Sequence, residues 1–196
     1  MSEIKVNKVS PATGTAIQLG DSGDVFTVPS GATITNNGTA NGFGGGKLLN
    51  CVSATKTDVA SNNNSTFTTV SGLSVDITPA STSKVLVMWS ININGNNGGS
   101  GIQIVRDTTA ICIGDASGSR KRTTGNTYTT NGSAHVTVAG QHLDTHGADG
   151  STQITYAIQW RSDGTQTDYL NRSESDGDTT DYNRTASNIT VLEIGA

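Results

Sequence analysis

The side chains with the widest chemical range in this chain are three histidines, His135, His142 and His146. The segment "HLDTH" places Asp144 between the last two, and imidazole with carboxylate is a ligand set that zinc accepts. A zinc site needs both rings to converge with a third ligand, whereas strand positions four apart lie ~13 Å from each other. We therefore favour a polar loop between strands, and the sequence predicts neither a metal ion nor another cofactor.

Two acidic stretches resemble calcium-binding loops. They are "GDSGD", with Asp21 and Asp24, and "ESDGDTTD", with Glu174, Asp176, Asp178 and Asp181. Calcium requires several oxygen ligands on a turn, but the twelve-residue spacing that ends in Glu is missing here. Asp and Gly are ordinary turn formers between strands, so the pattern predicts turns rather than ion sites.

The sequence predicts no catalytic residue. No "GxSxG" nucleophile elbow occurs, and the glycine-rich "GFGGG" and "GNNGGSG" lack the Lys-Ser/Thr pair and the helix of a phosphate loop. A glycosidase needs two carboxylates facing one cleft. Glu174, Asp176 and Asp178 are available, but they lie in a loop with no aromatic groove nearby. We therefore expect that the protein is not an enzyme, with a polysaccharide depolymerase as the weakest alternative.

One basic cluster, "GSRKRTT", stands out in a chain that is poor in basic residues. Arginines can recognise an anionic group, such as a sugar acid or a carboxylate, by forked hydrogen bonds. The alternative, which we favour slightly, is a set of inter-chain ion pairs with the plentiful aspartates. Tyrosines in polar loops are the better candidates for stacking on a sugar, whereas Trp89 lies in an apolar run typical of a core. The candidate surface residues are Arg120, Lys121, Arg122, Tyr169, Arg172, Tyr182 and Arg184.

Charge and hydropathy exclude several kinds of partner. The chain of 196 residues has 12 Lys and Arg against 16 Asp and Glu, a net charge of −4. Such a balance generates no field that would attract nucleic acid or an anionic membrane. No run approaches the ~18 apolar residues of a membrane span, and "MSEIKVNKVS" has no signal-peptide core. We expect a soluble protein that is made in a cytoplasm.

The two cysteines do not form a disulfide framework. Cys51 lies in "LLNCVS" and Cys112 in "AICIGD", which are both apolar, strand-like runs. Small buried hydrophobic residues are the favoured interpretation. A single bridge between them stays open, because pairing cannot be judged from sequence.

The composition predicts an all-β fold with many turns. The chain has 24 Gly and 30 Thr, and these residues favour turns and strands respectively. In residues 1–46, apolar residues recur every eight or nine positions between turn signals, as in short strands of a β-helix or β-prism. So short a segment buries too little surface to stand alone, so we expect it to intertwine with identical chains and to end in a hinge at "GFGGG". The core shared between the chains would consist of Ile17, Leu19, Val25, Phe26, Val28 and Ile34.

The hydropathy pattern of residues 47–196 predicts a second domain of eight or more strands. Alternating apolar and polar residues indicate sheets with one dry face, and two such sheets make a sandwich. About 150 residues with eight strands suits a jelly roll. The predicted strands are "KLLNCVSAT", "STFTTVSG", "LSVDITPAS", "KVLVMWSININ", a hairpin of "GIQIVRD" and "TAICIGD", "SAHVTVAGQHL", "STQITYAIQWRS", an edge strand at "TDYLNRS", and "SNITVLEIG", with Ile189, Val191 and either Leu192 or Ile194 inward.

Three phrases carry a family resemblance: "IQLGDSGDVFTVPSGATITNNGTA", "AICIGDASGSRKRTT" and "YLNRSESDGDTTDYNRTASNITVLEI". Through them the chain resembles virion fibre proteins of marine bacteriophages, cyanophages especially, over nearly its whole length. The resemblance implies a homotrimer on the virion, attached to other virion proteins through its N-terminal segment. Its jelly-roll head would recognise a glycan or protein on the host surface. Long tail fibres usually carry an anchoring domain and a shaft before the head, and this chain begins with the short segment. A capsid-decorating protein, such as a cement protein or head spike, therefore stays open.

Overall fold

The chain contains two compact units, Met1–Phe43 and Gly44–Ala196, which we call the arm and the head. The structure is a computed structural model, and it describes residues 9–35, 37, 47–95 and 98–195. The described residues form strands, turns and bends but no helix, which confirms the prediction of an all-β protein. Accordingly, no described helix is long and apolar enough to cross a membrane.

The head is built from antiparallel strands. Their bounds, in chain order, are β1 (Leu48–Lys56), β2 (Ala60–Asn62), β3 (Thr68–Ile77), β4 (Lys84–Gly95), β5 (Gly98–Arg106), β6 (Thr109–Ile111), β7 (Gly125–Thr129), β8 (Val136–Asp144), β9 (Ile154–Arg161), β10 (Asp168–Leu170) and β11 (Ser187–Ile194).

These strands form the two sheets of a β-sandwich. Sheet A has the order β1-β11-β4-β10-β2, with β8 also paired to β4, and sheet B has the order β3-β9-β5-β6, with β7 also paired to β5. The long strand β4 organises sheet A. One of its edges pairs first with β11 and then with β10, and its other edge pairs with β8. Sheet A is therefore four strand positions wide. Two of these positions are shared by two strands in succession, one by β1 and β2 and one by β11 and β10.

Alternation along the strands places one face of each sheet in a shared apolar core. In β9, Ile154, Tyr156, Ile158 and Trp160 are all buried, as the sequence predicts. The inward residues of β4 are likewise buried, and Trp89 is among them, which confirms its predicted place in the core. Burial of these side chains is the main force that holds the two sheets together.

Some strand predictions were wrong, each for a local reason. "STFTTVSG" and "LSVDITPAS" form the single strand β3, because a bulge at Gly72, whose φ is +86°, absorbs the predicted break. The segment "TDYLNRS" is not an edge strand, since β10 lies between β2 and β4. In β11 the inward residue after Val191 is Glu193, whose carboxylate accepts the Ala80 N–H at 2.7 Å, rather than Leu192 or Ile194.

The cysteines were also predicted wrongly, since both are free and exposed. In β1 the side chains that pack against the core are Val52 and Ala54, so alternation turns Cys51 outward. Cys112 follows β6 with φ of +52°, where the chain leaves the sheet. Neither thiol therefore contributes to the core.

The arm carries its apolar side chains on its surface. Residues 9–35 and 37 form turns and bends without a strand. Asp24 closes the turn of "GDSGD" by accepting the Asp21 N–H at 2.8 Å, in line with the prediction of a turn. The strand predicted around Ile4 and Val6 and the hinge at residues 42–46 lie outside the described residues. The predicted intertwined β segment involves sister chains and stays a prediction. The exposed apolar residues include Ile17, Leu19, Val25, Phe26, Val28 and Ile34.

The sandwich has two distinct ends. At the entry end the chain begins β1 and finishes β11, and the Gly195 N–H donates to the Lys47 carbonyl at 2.7 Å. The opposite end, which we call the loop end, carries the connections 57–59, 63–67, 130–135, 162–167 and 171–186 and the outer parts of β4 and β5. The predicted residues Tyr169, Arg172, Tyr182 and Arg184 belong to this loop end.

Candidate functional site

The candidate site centres on the loop 171–186, which connects β10 to β11. Asn171, the first residue of the loop, anchors it to the sheet. This side chain is fully buried, and its Nδ2 donates to the carbonyls of Lys56 and Asp58, both at 2.9 Å, while its Oδ1 accepts the Ser187 hydroxyl at 2.7 Å. Its φ of +58° is a conformation that asparagine tolerates better than most residues. Asn171 therefore joins both bases of the loop to the end of β1.

Arg172 lies over the ring of Tyr169, with its guanidinium carbon 4.0 Å from the ring centre. Its Nη1 donates to the carbonyls of Ser173 at 3.1 Å and Glu174 at 3.3 Å. A cation over an aromatic face is attracted by the negative face of the ring. This stack brings two predicted residues together in a fixed platform.

Asp176 pairs with the two arginines of the loop. Its carboxylate accepts Nη2 of Arg184 at 3.0 Å and lies 3.6 Å from Nη1 of Arg172. The ring of Tyr182 packs on the backbone at Gly177, where a Cβ atom would approach it to 3.0 Å. Side chains from 169 to 184 thus form one connected group, but their ion pairs lie within the chain. The predicted inter-chain pairs stay a prediction.

A second loop supports the first. Asn94 of β4 is fully buried, and its Nδ2 donates to the carbonyls of Asn131 at 3.1 Å and Gly132 at 3.3 Å. The Gly132 carbonyl also accepts the N–H of Glu174 at 2.9 Å. A series of hydrogen bonds therefore connects Asn94 of the sheet, through the connection between β7 and β8, to Glu174 in the loop 171–186.

The group offers a ligand a mixed polar surface. The side chain of Arg184 is 54% exposed, whereas that of Arg172 is only 19% exposed, so Arg184 has more free donors. Tyr169 and Tyr182, both half-buried, lie in the same group. Guanidinium forks and aromatic rings are groups that can recognise sugar hydroxyls and carboxylates.

The predicted basic cluster is separate from this group. Arg120, Lys121 and Arg122 are exposed in the connection 112–124 between β6 and β7, at the edge of sheet B. Arg122 donates from Nε to the Gly114 carbonyl at 2.6 Å, and Arg120 donates to the Ser117 hydroxyl at 3.1 Å. The seven predicted surface residues therefore belong to two surfaces rather than one.

The histidines do not converge. His142 lies on β8, whereas His146 is buried with Nε2 at 3.4 Å from the Ser83 hydroxyl. Nδ1 of His146 accepts the Ala148 N–H at 2.9 Å, so the proton of a neutral ring is on Nε2. Since Ser83 donates to the Ala80 carbonyl, this His cannot act as the base that activates Ser83.

The carboxylate within "HLDTH" has a structural partner. Asp144 accepts two hydrogen bonds from Nη1 of Arg106, at 2.6 and 2.9 Å, and one from the Tyr156 hydroxyl at 2.7 Å. Burial, and then the neighbouring Asp144, raise the pKa of Tyr156. Within the described residues, no group of three or more His, Cys, Asp and Glu side chains could hold a metal ion.

Sequence reasoning missed the residues that organise the site. The sequence offers Asp176 only as a calcium ligand or a catalytic acid, and its role as the partner of two arginines is seen only in the folded loop. Asn94 and Asn171 gave no signal, because asparagine is common throughout the chain. No protein-family model matches this chain, and no curated protein matches it.

Proposed function

We propose that this protein is a bacteriophage virion fibre protein, a homotrimer whose β-sandwich head recognises a glycan or protein on the host surface. The observation that carries the proposal is the exposure of the arm's apolar side chains. Val25 is 87% exposed and Leu19 69%. A soluble chain rarely leaves such a set unburied unless a partner covers it.

A concavity in the arm supports association with identical chains. Leu19, Phe26, Val28 and Ile34 line one apolar concavity of about 690 Å³. Side chains of two sister arms would fill such a concavity and create the core that one copy lacks. Three linked heads would then bind a surface with avidity, so that weak sites add up to firm attachment.

The finer architecture of the head is part of the proposal. Omitting the short strands β2, β6 and β10, the order is β1-β11-β4-β8 in sheet A and β3-β9-β5-β7 in sheet B. The chain changes sheet at almost every connection between these eight strands, as in a jelly roll. A rigid sandwich of this kind presents its loops in a fixed arrangement.

The receptor surface in this proposal is the loop end. It lies opposite the Lys47–Gly195 contact, where the chain enters the head. It carries the stack of Tyr169 and Arg172, together with Arg184. The connection 112–124, with Arg120, Lys121 and Arg122, is the second candidate surface.

The oligomeric state tests the trimer. The full-length protein should elute in size-exclusion chromatography with light scattering at three times the mass of one chain. Changing both Leu19 and Phe26 to Ser should give a monomer whose head remains folded. The matched control is Leu143→Ser on the head, a similarly exposed leucine, which should leave the trimer intact. A monomeric wild-type protein would overturn the proposal.

Binding to host cells tests the receptor surface. Full-length protein with a fluorescent label should bind glycan arrays or marine cyanobacterial cells. The change Arg184→Ala should reduce this binding about tenfold or more, since a charge-assisted bond contributes about 1.5–3 kcal/mol. The control, Arg120→Ala, should bind as the wild type does. The reverse pattern would move the receptor site to the connection 112–124, and loss in neither variant would reject both surfaces.

A capsid-decorating protein is the second candidate. In its favour, Arg172 and Arg184 already have a partner in Asp176, so the loop 171–186 satisfies much of its own charge. The arm would then be the binding surface and the head a solvated cap. Antibody labelling of virions separates the two functions, because a fibre is labelled at the tail and a decorating protein over the whole capsid.

A further inference from the structure

A buried carboxylate at the loop end is left without a partner. Asp168 of β10 is 1% exposed, and neither of its carboxylate oxygens has a hydrogen bond of good geometry in the described part of the chain, although the Ser100 hydroxyl lies close enough to lower the pKa of Asp168. Unpaired charges are rarely kept inside a protein, because the loss of hydration is costly. Asp168 therefore needs an explanation that the sandwich itself does not supply.

Two hydroxyl groups near Asp168 are also buried without a hydrogen-bond partner in the described part of the chain. Ser100 of β5 and Thr127 of β7 are register partners, and both are buried with side-chain oxygens that lack partners among the described residues. Both oxygens converge on Gly95, the register partner of Asp168. A Cβ atom at Gly95 would lie 2.4 Å from Ser100 Oγ and 3.0 Å from Thr127 Oγ1. Three strands thus bring unsatisfied oxygens together.

A second carboxylate borders this group. Asp163 Oδ1 is held by the N–H groups of Thr165 and Gln166, at 2.8 and 3.1 Å. Its Oδ2 points at Gly98, where an added Cβ atom would lie 2.5 Å away. Because these hydrogen bonds lower the pKa of Asp163, this carboxylate is ionised at neutral pH. The nearby Arg161 donates from Nε to the Ser65 carbonyl and forms no ion pair with either aspartate in the described chain.

We propose that Asp168, Ser100 and Thr127, with Asp163 at the rim, bind one calcium ion. All the ligands are oxygens, which hard cations prefer, and neither histidine nor thiolate is present to favour zinc. Calcium accepts neutral hydroxyl and carbonyl oxygens with flexible geometry, whereas magnesium demands a near-ideal octahedron. The ion would neutralise the buried carboxylate and connect β10 to β5 and β7, and so join the two sheets at the loop end.

The alternative is a protonated Asp168 that donates to a neighbouring hydroxyl. Burial raises the pKa of Asp168 to about 6, and the charge of Asp163 acts in the same direction. The neighbouring Ser100 hydroxyl lowers it in part. Calcium titration distinguishes the two, because a protonated Asp168 would give no response to calcium.

Calcium titration of the full-length protein tests this site. After treatment with EDTA, isothermal titration calorimetry at pH 7.5 should detect one calcium ion per chain. A hundredfold excess of calcium over its dissociation constant should raise the melting temperature by about 5–10 °C, and magnesium at the same ionic strength should raise it much less. No heat and no thermal shift with calcium would overturn the proposal.

Two variants locate the ion, and a third is the control. Asp168→Asn preserves the shape of the side chain and should abolish the calcium shift, and Thr127→Val should weaken calcium binding about tenfold. Asp178→Asn, an exposed aspartate in the loop 171–186, should behave as the wild type does. Calcium binding that survives in both site variants would reject the site. If Asp168→Asn does not fold, Thr127→Val decides the assignment.

Discussion

Replacing Asn171 by alanine should destabilise the head severely, because this residue joins the loop 171–186 to the sheet. The change removes three side-chain hydrogen bonds, to Lys56, Asp58 and Ser187, of which those to Lys56 and Ser187 are buried. Each contributes about 1 kcal/mol net, and more where a buried partner is left unsatisfied. Forcing alanine to a φ of +58° costs about another 1 kcal/mol. The expected loss is roughly 4 kcal/mol in the free energy of unfolding.

Urea denaturation at fixed protein concentration measures this loss, with the fluorescence of the buried Trp89 and Trp160 as the signal. Asn171→Gly separates the two contributions, since glycine adopts positive φ without strain and should lose about 1 kcal/mol less than alanine. The exposed Asn183→Ala, in the same loop, is the control and should stay within ~0.5 kcal/mol of the wild type. If alanine costs less than about 1 kcal/mol, the anchoring role is wrong. If glycine is as harmful as alanine, the backbone argument fails.

Three further predictions concern the rest of the head. Gly140→Ala would place a Cβ atom 2.6 Å from Trp89 Cζ2, so we expect a loss of about 1–3 kcal/mol in urea denaturation; an unchanged midpoint would contradict this packing. Burial lowers the pKa of His135 below 6.5, so its contribution to stability is complete above pH 6.5 and is lost as the pH falls below it. The melting temperature should therefore drop more between pH 7 and 5.5 in the wild type than in His135→Gln, and equal slopes would refute the assignment. Ellman's reagent should titrate two thiols per native chain, Cys51 and Cys112, and a hidden thiol would show that its surface is covered.

The long strands could be predicted because their signal is local. In β4 and β9, buried and more exposed residues alternate along one continuous stretch of sequence, so each strand can be recognised without knowledge of its partners. The short strands β2 and β7 carry few apolar residues, and each exists because a partner offers it an edge to pair with, β10 for β2 and β5 for β7. Glu193 shows the same limit, since its inward position depends on the Ala80 N–H from a distant turn. Pairing between segments that are far apart in the sequence cannot be recognised from a window of ten residues.

The candidate site was predictable in its residue types but not in its grouping. Arginine and tyrosine between 169 and 184 stood out against a polar background, and they do lie together. Arg120, Lys121 and Arg122 looked equivalent in the sequence, yet the fold gives them a different edge. Asp168 attracted no notice, because one more aspartate among turn-forming residues is unremarkable until its burial is known.

The contact between Gly195 and Lys47 has a practical consequence for engineering. A tag or reporter fused after β11 would emerge beside the first strand of the head, and it would leave the far side of the sandwich unobstructed. Fluorescent fusions made in this way should still permit binding studies on cells. Peptides inserted between Gly177 and Thr180, by contrast, would be displayed outward, so this β-sandwich is suited to serve as a scaffold for new recognition loops.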